Sequence, residues 1–426
     1  MSVTRPSRKT PTSPTAAAGS TPPAALVGVR RIFAAETGNF FLLLGTTVFL
    51  VIFGLVMVLS SSSIESKLKT GSFFEEAARQ TLWALIGIPL MLVVSRIPMT
   101  FWKKWALHAL GVALLLQVLV FTPLGWGYGG NRNWLDFGVV QMQPSELLKV
   151  ALILWMALIL SSKRGPLSNP KNLALPIAPV AGLAIALVLL GQDLGTAVIM
   201  LAIVFGCLYY AGAKLRHLGL AFAVIAVFGV IFAFSGSSRT QRINAWLYGC
   251  TPADYERFCW QPIHGTWALA SGGVFGVGLG NSKAKWSWLP EAQNDYIFAI
   301  VGEELGLVGA GVVLLLFIVM AVAFIRILRA NTDPFARIVT SGVMVWIIGQ
   351  ALVNIGVVLR LLPVLGVPLP LISAGGSALI TVLLAIGLVL SFARKPPGEL
   401  TQNFVPAPTP AERSRLAAAQ RVRQTR

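Results

Sequence analysis

One acid in this chain stands where a membrane helix is expected to meet water. Asp295 lies in the run Pro290–Gly306 (PEAQNDYIFAIVGEELG), at the point where a hydrophobic stretch begins. A carboxylate costs roughly 2.5–3.5 kcal/mol at a bilayer centre and little at its edge, so an acid run that opens an apolar helix is a functional-site candidate. At about 100° per residue, Ala299, Gly302 and Gly306 share its helical face, and the Gly302/Gly306 pair lets a neighbouring helix approach closely. The same position also suits an acid satisfied by the positive end of a helix dipole, and spacing alone does not choose between the two. Glu303 and Glu304 follow about 12 Å further in. Two adjacent carboxylates at that depth need a polar cavity, a cation, backbone donors or a proton, either as a structural clamp or as catalytic groups.

A second cluster runs Arg132-Asn133-Trp134-Leu135-Asp136, then Gln143-Pro144-Ser145-Glu146-Leu147-Leu148-Lys149. Pro144 suits a helix's first turn and Glu146 its positive end. Glu146 and Lys149, three apart, can pair on one face. Alternatively, Arg132 and Lys149 are cations for an anionic ligand, Arg as a bidentate fork and Lys as a point charge. A third stretch, Val364–Ser377 (VLGVPLPLISAGGS), contains Ser373 and Gly375. Its two prolines and Gly-Gly pair cannot continue a helix, so the chain is expected to kink or re-enter here, lining a cavity or buried in protein. The Gly-rich run Gly272–Gly280 could cradle a phosphate with its amides. It lacks the G-K-[ST] ending of a nucleotide loop, which excludes ATP binding on this motif.

The elements that must position these residues are membrane helices. Of 426 residues, 55% are hydrophobic and 12% charged, against about 25% charged in soluble domains. Apolar runs long enough for about 30 Å of hydrocarbon recur. Ten are expected, at about 39–60, 80–97, 105–123, 144–162, 174–191, 194–212, 217–234, 296–325, 338–358 and 377–394. The fifth and sixth are parted only by Gln192-Asp193 and could be one broken helix, though together they exceed one crossing. The fold class expected is an all-α integral membrane protein with both termini cytoplasmic and a large outer loop, 235–295, between helices 7 and 8. The net charge of +18 does not imply nucleic acid. With the termini inside, 23 of the 34 Lys and Arg but only four of the 16 acids fall in cytoplasmic pieces, the positive-inside asymmetry. Membrane lipids with anionic headgroups are further partners for that charge. The outer connections hold most of the Trp, Gly, Asn and acidic residues, which places the chemistry outside.

Residues 1–37 and 396–426 are expected to be disordered basic tails flanking a membrane domain at 38–395. The run 39–60 is too long for a signal h-region and no small-residue cleavage site follows it, so an uncleaved first helix is expected. Three cysteines and three scattered histidines give no metal-ligand spacing, so no protein metal site is expected. Cys207 is a packing residue. Cys250 and Cys259 flank a short insert in the outer loop, where an oxidising compartment favours a disulfide between them.

The motifs, in their order, resemble the SEDS family (shape, elongation, division and sporulation). The family pattern of Arg, Trp and Q-P-[SA]-E-x-x-K appears as Arg132, Trp134 and Gln143–Lys149, and its glycine run as Ser271–Gly280. P-E-x-x-x-D-[FY]-I-F-A and G-E-E-L-G appear as Pro290–Ala299 and Gly302–Gly306, and L-P-L-[IV]-S-x-G-G-S as Leu369–Ser377. The resemblance spans about residues 38–395. Ala374, where many members carry Tyr, and Arg360, where Gly is frequent, depart from the pattern. The tails and the SAGGS wording resemble the division branch of high-GC Gram-positive bacteria.

This resemblance implies a peptidoglycan glycosyltransferase of the bacterial plasma membrane, at the division septum, that joins lipid II units into glycan with release of undecaprenyl diphosphate. It implies Asp295 as the base. Arg132, Lys149, Arg242 and Arg239, in that order, are candidates for the pyrophosphate. Trp134, Glu303, Glu304, Ser373 and Gly375 are further candidates for substrate contact. No cofactor is required by the sequence, and a divalent cation, Mg2+ or Mn2+, is compatible with the leaving group. Implied partners are lipid II, the nascent glycan strand, a class B penicillin-binding protein and other division-complex membrane proteins. Two other functions are open. A lipid II flippase would use Asp193, Glu303, Glu304 and the broken segment near Pro368–Pro370, although no inverted repeat is visible. A division scaffold would use the tails and helix faces but gives no reason for Asp295.

Overall fold

The computed structural model describes residues 36–394 apart from 129–130, 139–140, 163–169, 235–236, 253–254 and 287, and without the side chains of 128, 170–175, 228 and 230–239. The tails expected at 1–37 and 396–426 therefore lie outside the described residues, Glu36 and Thr37 excepted. Three helices come first, α1 (Gly38–Thr70), α2 (Glu75–Val94) and α3 (Met99–Leu119). An antiparallel sheet of β1 (Gly125–Tyr128), β2 (Asn131–Asp136) and β3 (Gln141–Met142) follows, with the strands side by side in that order. Next are α4 (Pro144–Ser162), α5 (Pro170–Leu190), α6 (Leu194–Tyr210) and α7 (Leu215–Phe234). The long connection after α7 holds α8 (Ser237–Tyr248), a π turn (Tyr255–Cys259) and α9 (Trp260–Gly272). The last three helices are α10 (Ile297–Ala330), α11 (Pro334–Val358) and α12 (Gly376–Phe392).

Each expected apolar run is helical. The doubtful pair is two helices, parted where Gln192 takes a left-handed φ of 67° and Asp193 caps α6 by accepting from Thr196 N (2.9 Å). Five helices, α1, α2, α4, α10 and α11, are long and apolar enough to cross a membrane, and four shorter apolar helices accompany them. Large apolar side chains such as Phe49, Leu85, Leu115, Leu315 and Ile318 point outward. On a soluble surface they would be a liability, whereas lipid accommodates them. The chain is a multi-pass membrane protein.

At the centre stands α4, packed against α3, α6 and α11, while α12 lies along α2 and α10 along α1. Buried residues cover all sides of α4, among them Leu148, Leu152, Ile153 and Met156, as expected of a helix ringed by others. The ends are fixed by sequence. Asp333 caps α11 by accepting from Phe335 N (2.8 Å) and Ala336 N (3.3 Å), with Pro334 at the first helical position. Its carboxylate also meets Lys103 at 2.9 Å, joining two connections read as cytoplasmic. In the connection after α7 Cys250 and Cys259 are joined as a disulfide, Cα to Cα 6.0 Å.

Two features depart from an all-α chain of plain helices. Residues 125–142, expected as loop, form the small sheet, in which Trp126 pairs with Trp134 across β1 and β2. Aromatic cross-strand pairs of this kind stabilise short ladders. Second, α10 is broken at Gly306 (φ 67°, ψ −164°). The Gly-rich run docks into that break: Leu307 N and Val308 N donate to Gly273 O (2.9 Å) and Val274 O (3.1 Å). Val277 N and Gly278 N donate to Glu303 O (2.9 Å) and Glu304 O (3.0 Å). The amides of Gly276, Val277 and Gly278 are taken up within the protein, so the middle of the run is not the phosphate cradle expected of it. The glycines serve close backbone approach instead.

At Gly306 a Cβ would lie 2.4 Å from Gly276 N and from Val274 O, on a backbone with positive φ, whereas a Cβ on Gly311 would meet nothing. Gly306→Ala is therefore expected to destabilise by more than the roughly 1–2 kcal/mol of left-handed strain alone. Gly311→Ala should be neutral or stabilise by up to about 1 kcal/mol. Thermal unfolding of the two purified variants in detergent checks the contrast; equal midpoints would refute the docking of the glycine run.

Candidate active site

Asp295 sits in the turn just before α10, half-buried, and its backbone is held more firmly than its side chain. Asn354 on α11 donates through Nδ2 to both Asp295 O and Val367 O, each at 2.7 Å. Ser373 Oγ donates to Asn294 O (2.6 Å) and accepts from Leu369 N (2.8 Å). Ala374 N donates to Gln293 O at 2.9 Å. The later part of the irregular segment 359–375, from Val367 to Ala374, is thus stitched to the turn 293–295. From the opposite side Gln80 on α2 donates to Ser373 O (3.2 Å) and accepts from Gly375 N (3.1 Å). Ser373 and Gly375, expected as substrate contacts, are spent on this scaffold.

Lys149 belongs to the same support. It is buried, with 1% of its surface exposed. Its ammonium meets Glu146 at 2.8 Å and Gln350 Oε1 at 3.2 Å, and stands 4.5 Å from the centre of the Trp346 ring. Trp346 Nε1 donates to the same Gln350 oxygen (2.9 Å), and Gln350 Nε2 donates to Pro368 O (2.9 Å). The charge therefore orients an amide that holds the irregular segment. In this arrangement Lys149 is not a free cation for pyrophosphate.

The carboxylate of Asp295 accepts no hydrogen bond from the described residues. Gly366, with φ of 68°, passes so close that a Cβ there would be 3.5 Å from Asp295 Oδ2. Burial pushes the Asp295 carboxyl up to about 7, with help from the negative charges of Glu291 and Asp193 and against the pull of Arg242. A pKa near neutrality is what a general base at physiological pH requires.

Arg242, exposed on α8, is the expected cation that the structure brings to Asp295. Arg360 joins it: it is exposed, its φ is 59°, and its charge and that of Arg242 both act on neighbouring Tyr296. Trp246 Nε1 donates to Arg360 O (3.0 Å), tying α8 to the segment after α11. Arg132 is exposed on β2, where its guanidinium donates to Thr122 O (2.7 Å) and its backbone N to Gly191 O (3.0 Å). Trp134 is half-buried beside it. The sheet is anchored through Asp193, which accepts from Asn133 (3.2 Å) and Gln143 (2.9 Å). The side chain of Arg239 lies outside the described residues.

Glu303 and Glu304 are both buried and fully engaged. Glu303 accepts from Ser282 Oγ and from Lys283 N (2.9 Å). Glu304 accepts from Ser60 Oγ (2.6 Å) and meets Lys285 at 3.4 Å. Of the alternatives open for these acids, the polar clamp is the one the structure supports: they fasten the loop 277–285 to α10. Sequence reasoning missed Gln80, Gln350 and Asn354. Their signal was visible, since amides inside apolar helices need partners. Among the described residues no three His, Cys, Asp or Glu converge as a metal cage would require.

The sequence model of the FtsW, RodA and SpoVE group, described as "Cell cycle protein", matches residues 41–396. The probable peptidoglycan glycosyltransferase FtsW of Mycobacterium tuberculosis is 39% identical over 360 residues, covering 84% of this chain and 68% of the relative. The stage V sporulation protein E of Bacillus subtilis is 34% identical over 361 residues, covering 84% and 98%. Among solved structures, a chain from "Structural coordination of polymerization and crosslinking by a peptidoglycan synthase complex" superposes with a TM-score of 0.69 at 26% identity, covering 84% and 98%. The rod shape determining protein RodA of Thermus thermophilus gives 0.62 at 26%, covering 85% and 98%. An uncommitted carboxylate on a rigid turn, the ordered motifs around it and these matches have one conclusion: the chain belongs to the SEDS family of FtsW, RodA and SpoVE cell cycle proteins.

Proposed function

We propose that this chain, a peptidoglycan glycosyltransferase, polymerises lipid II on the outer face of the plasma membrane during septal wall synthesis. Ten crossings with both termini cytoplasmic fit the positive-inside asymmetry and put the loop 235–295 outside, where Asp295 meets water. The observation that carries the assignment is the Asp295 carboxylate, without a hydrogen bond from the described residues and with its pKa raised to about 7, on a turn fixed at three backbone carbonyls.

In the reaction, Asp295 takes the proton of the acceptor sugar's 4-hydroxyl as its oxygen attacks the donor's anomeric carbon. The bond from that carbon to the pyrophosphate oxygen breaks, and undecaprenyl diphosphate leaves carrying the electron pair. Arg242 and Arg360 are the cations placed to meet the developing charge. Arg132 stands on the sheet that Asp193 joins to this site, as an outlying member. Mg2+ or Mn2+, if the pyrophosphate brings one, would find Asp295 unengaged, whereas Asp193 is already committed to three donors. A flippase would need Glu303, Glu304 and Asp193 free to receive polar cargo, and all three are occupied by structural bonds.

Asp295→Asn keeps shape and removes the base. Glycan synthesis from lipid II in detergent should fall by at least the 10²–10⁴-fold typical of general-base catalysis, with folding unchanged. Near-normal polymer would end the assignment.

The base works only when ionised, so kcat/KM should climb as pH rises through about 7 and level off above it. Glu291→Gln removes a charge that holds the Asp295 carboxyl up and should move this limb to lower pH. Arg242→Gln should move it to higher pH, besides lowering the rate. A limb that ignores both substitutions would assign the titration to another group.

No segment described here resembles a transpeptidase, and a class B penicillin-binding protein is the proposed partner, supported by the solved relative's place in a peptidoglycan synthase complex. Such a protein should co-purify and raise the polymerisation rate; an isolated chain as active as the mixture would refute this.

A further inference from the structure

The helix that carries Arg242 has little core of its own. Among the described side chains of α8 only Ala245 is buried, while Arg242, Trp246, Leu247 and Tyr248 are exposed. A helix of 12 residues with so small a buried face is marginal by itself. It packs on α7 and on the π turn. Since α7 buries none of its own described side chains, it gives α8 no firm base.

Two ties hold α8 instead. Just past its C-terminal end, Cys250 is bonded to Cys259. Cys259 is fully buried and leads directly into α9, which packs along α10. The cross-link therefore fastens the end of α8 to the frame. The second tie lies on the body of the helix, where Trp246 Nε1 donates to Arg360 O at 3.0 Å. Arg242 and Trp246 are four residues apart and share one face of α8. The indole that grips the Arg360 carbonyl thus turns Arg242 toward the segment that carries Arg360. The charges of both arginines reach Tyr296, next to Asp295. Arg360 keeps a left-handed φ of 59°, which glycine would adopt without strain. Strain held at such a point marks a side chain that is used.

We propose that the Cys250–Cys259 cross-link and Trp246 are positioning elements for the glycosyl transfer: they hold α8 so that Arg242 and Arg360 meet the leaving pyrophosphate as one clamp. This rests on the polymerase function proposed above and deepens it. Neither tie touches substrate. The cross-link limits the drift of the helix end, and the indole sets the facing of Arg242. A guanidinium fixed beforehand has less freedom to lose when it meets phosphate oxygens, so the ties act on rate as well as on stability.

A double cycle with lipid II in detergent tests this. Replacing both cysteines together, Cys250→Ser and Cys259→Ser, should lower kcat/KM about tenfold, and Arg242→Gln alone by at least as much. All three substitutions together should cost no more than Arg242→Gln alone, because the cross-link acts through that residue. A cross-link that only stabilises the fold behaves differently: it lowers the unfolding midpoint, and it either leaves kcat/KM intact or gives a loss that multiplies with that of Arg242→Gln. Either outcome overturns the proposal. If the serine pair fails to fold, Trp246→Phe decides, since it keeps the disulfide and alters an exposed side chain. Its loss should likewise vanish in the Arg242→Gln background, and a loss that multiplies refutes the clamp. Native protein that makes no glycan from lipid II would instead bring down the polymerase function itself.

Discussion

Much of this site hangs on one amide. Asn354 Nδ2 bridges Asp295 O and Val367 O, the two backbones that no helix would otherwise hold together at that point. An unpaired amide in such surroundings costs several kcal/mol, so once both carbonyls are engaged the arrangement resists any slip of one segment against the other. Gln350 on α11 and Gln80 on α2 repeat the device at Pro368, Ser373 and Gly375, and Ser373 within the segment ties it to Asn294 O. Broken backbone at membrane depth is tolerated only when its polar groups are answered, and here side chains from α2 and α11 answer them.

Charge is used in the same way. The Lys149–Glu146 pair and the Glu304–Lys285 pair are nearly dehydrated. Pairs of this kind add little net stability, because desolvation consumes most of the attraction, but breaking one strands an ion. Their value is positional. Lys149 steers Gln350 toward Pro368, and Glu303 and Glu304 draw the loop 277–285 onto α10 where the helix breaks at Gly306. Motif residues that read as ligands in the sequence therefore serve here as fasteners of the frame.

Helices were legible because apolar runs of membrane length admit few other structures, and even the doubtful pair at Gln192-Asp193 resolved once Asp193 was seen as a cap. The pairing of Cys250 with Cys259 was expected from their spacing and compartment, whereas Asp295 stood out by its place at a helix mouth and took the part of a base only through the family resemblance. What could not be read was which polar residues were already satisfied. The pairing of Lys149 with Glu146 was one of two readings open in the sequence, and it is Gln350 and Ser60, 201 and 244 positions away, that complete the partners of Lys149 and Glu304. The break at Gly306 was hidden for a related reason: a glycine in a G-x-x-x-G pair signals close packing in either conformation. The sheet at 125–142 escaped because its strands are short and rich in glycine, and it is secured by Asp193 from beyond α4 and α5.

The contrast between frame and side chain explains how Asp295 would serve as the proposed base. Three neighbouring carbonyls, of Gln293, Asn294 and Asp295, are fixed by donors from elsewhere in the fold, while among the described residues none donates to the carboxylate. Hydrogen bonds to the carboxylate would have steadied it but would also have favoured its ionised form and drained its basicity. Holding the residue by its backbone avoids that conflict: position comes from the main chain, and proton affinity comes from burial and from the nearby acids. A reactive group placed to within a fraction of an ångström need not be bonded through its reactive atoms, provided the supporting shell is rigid. Here the shell is the segment 359–375 with the amides that grip it.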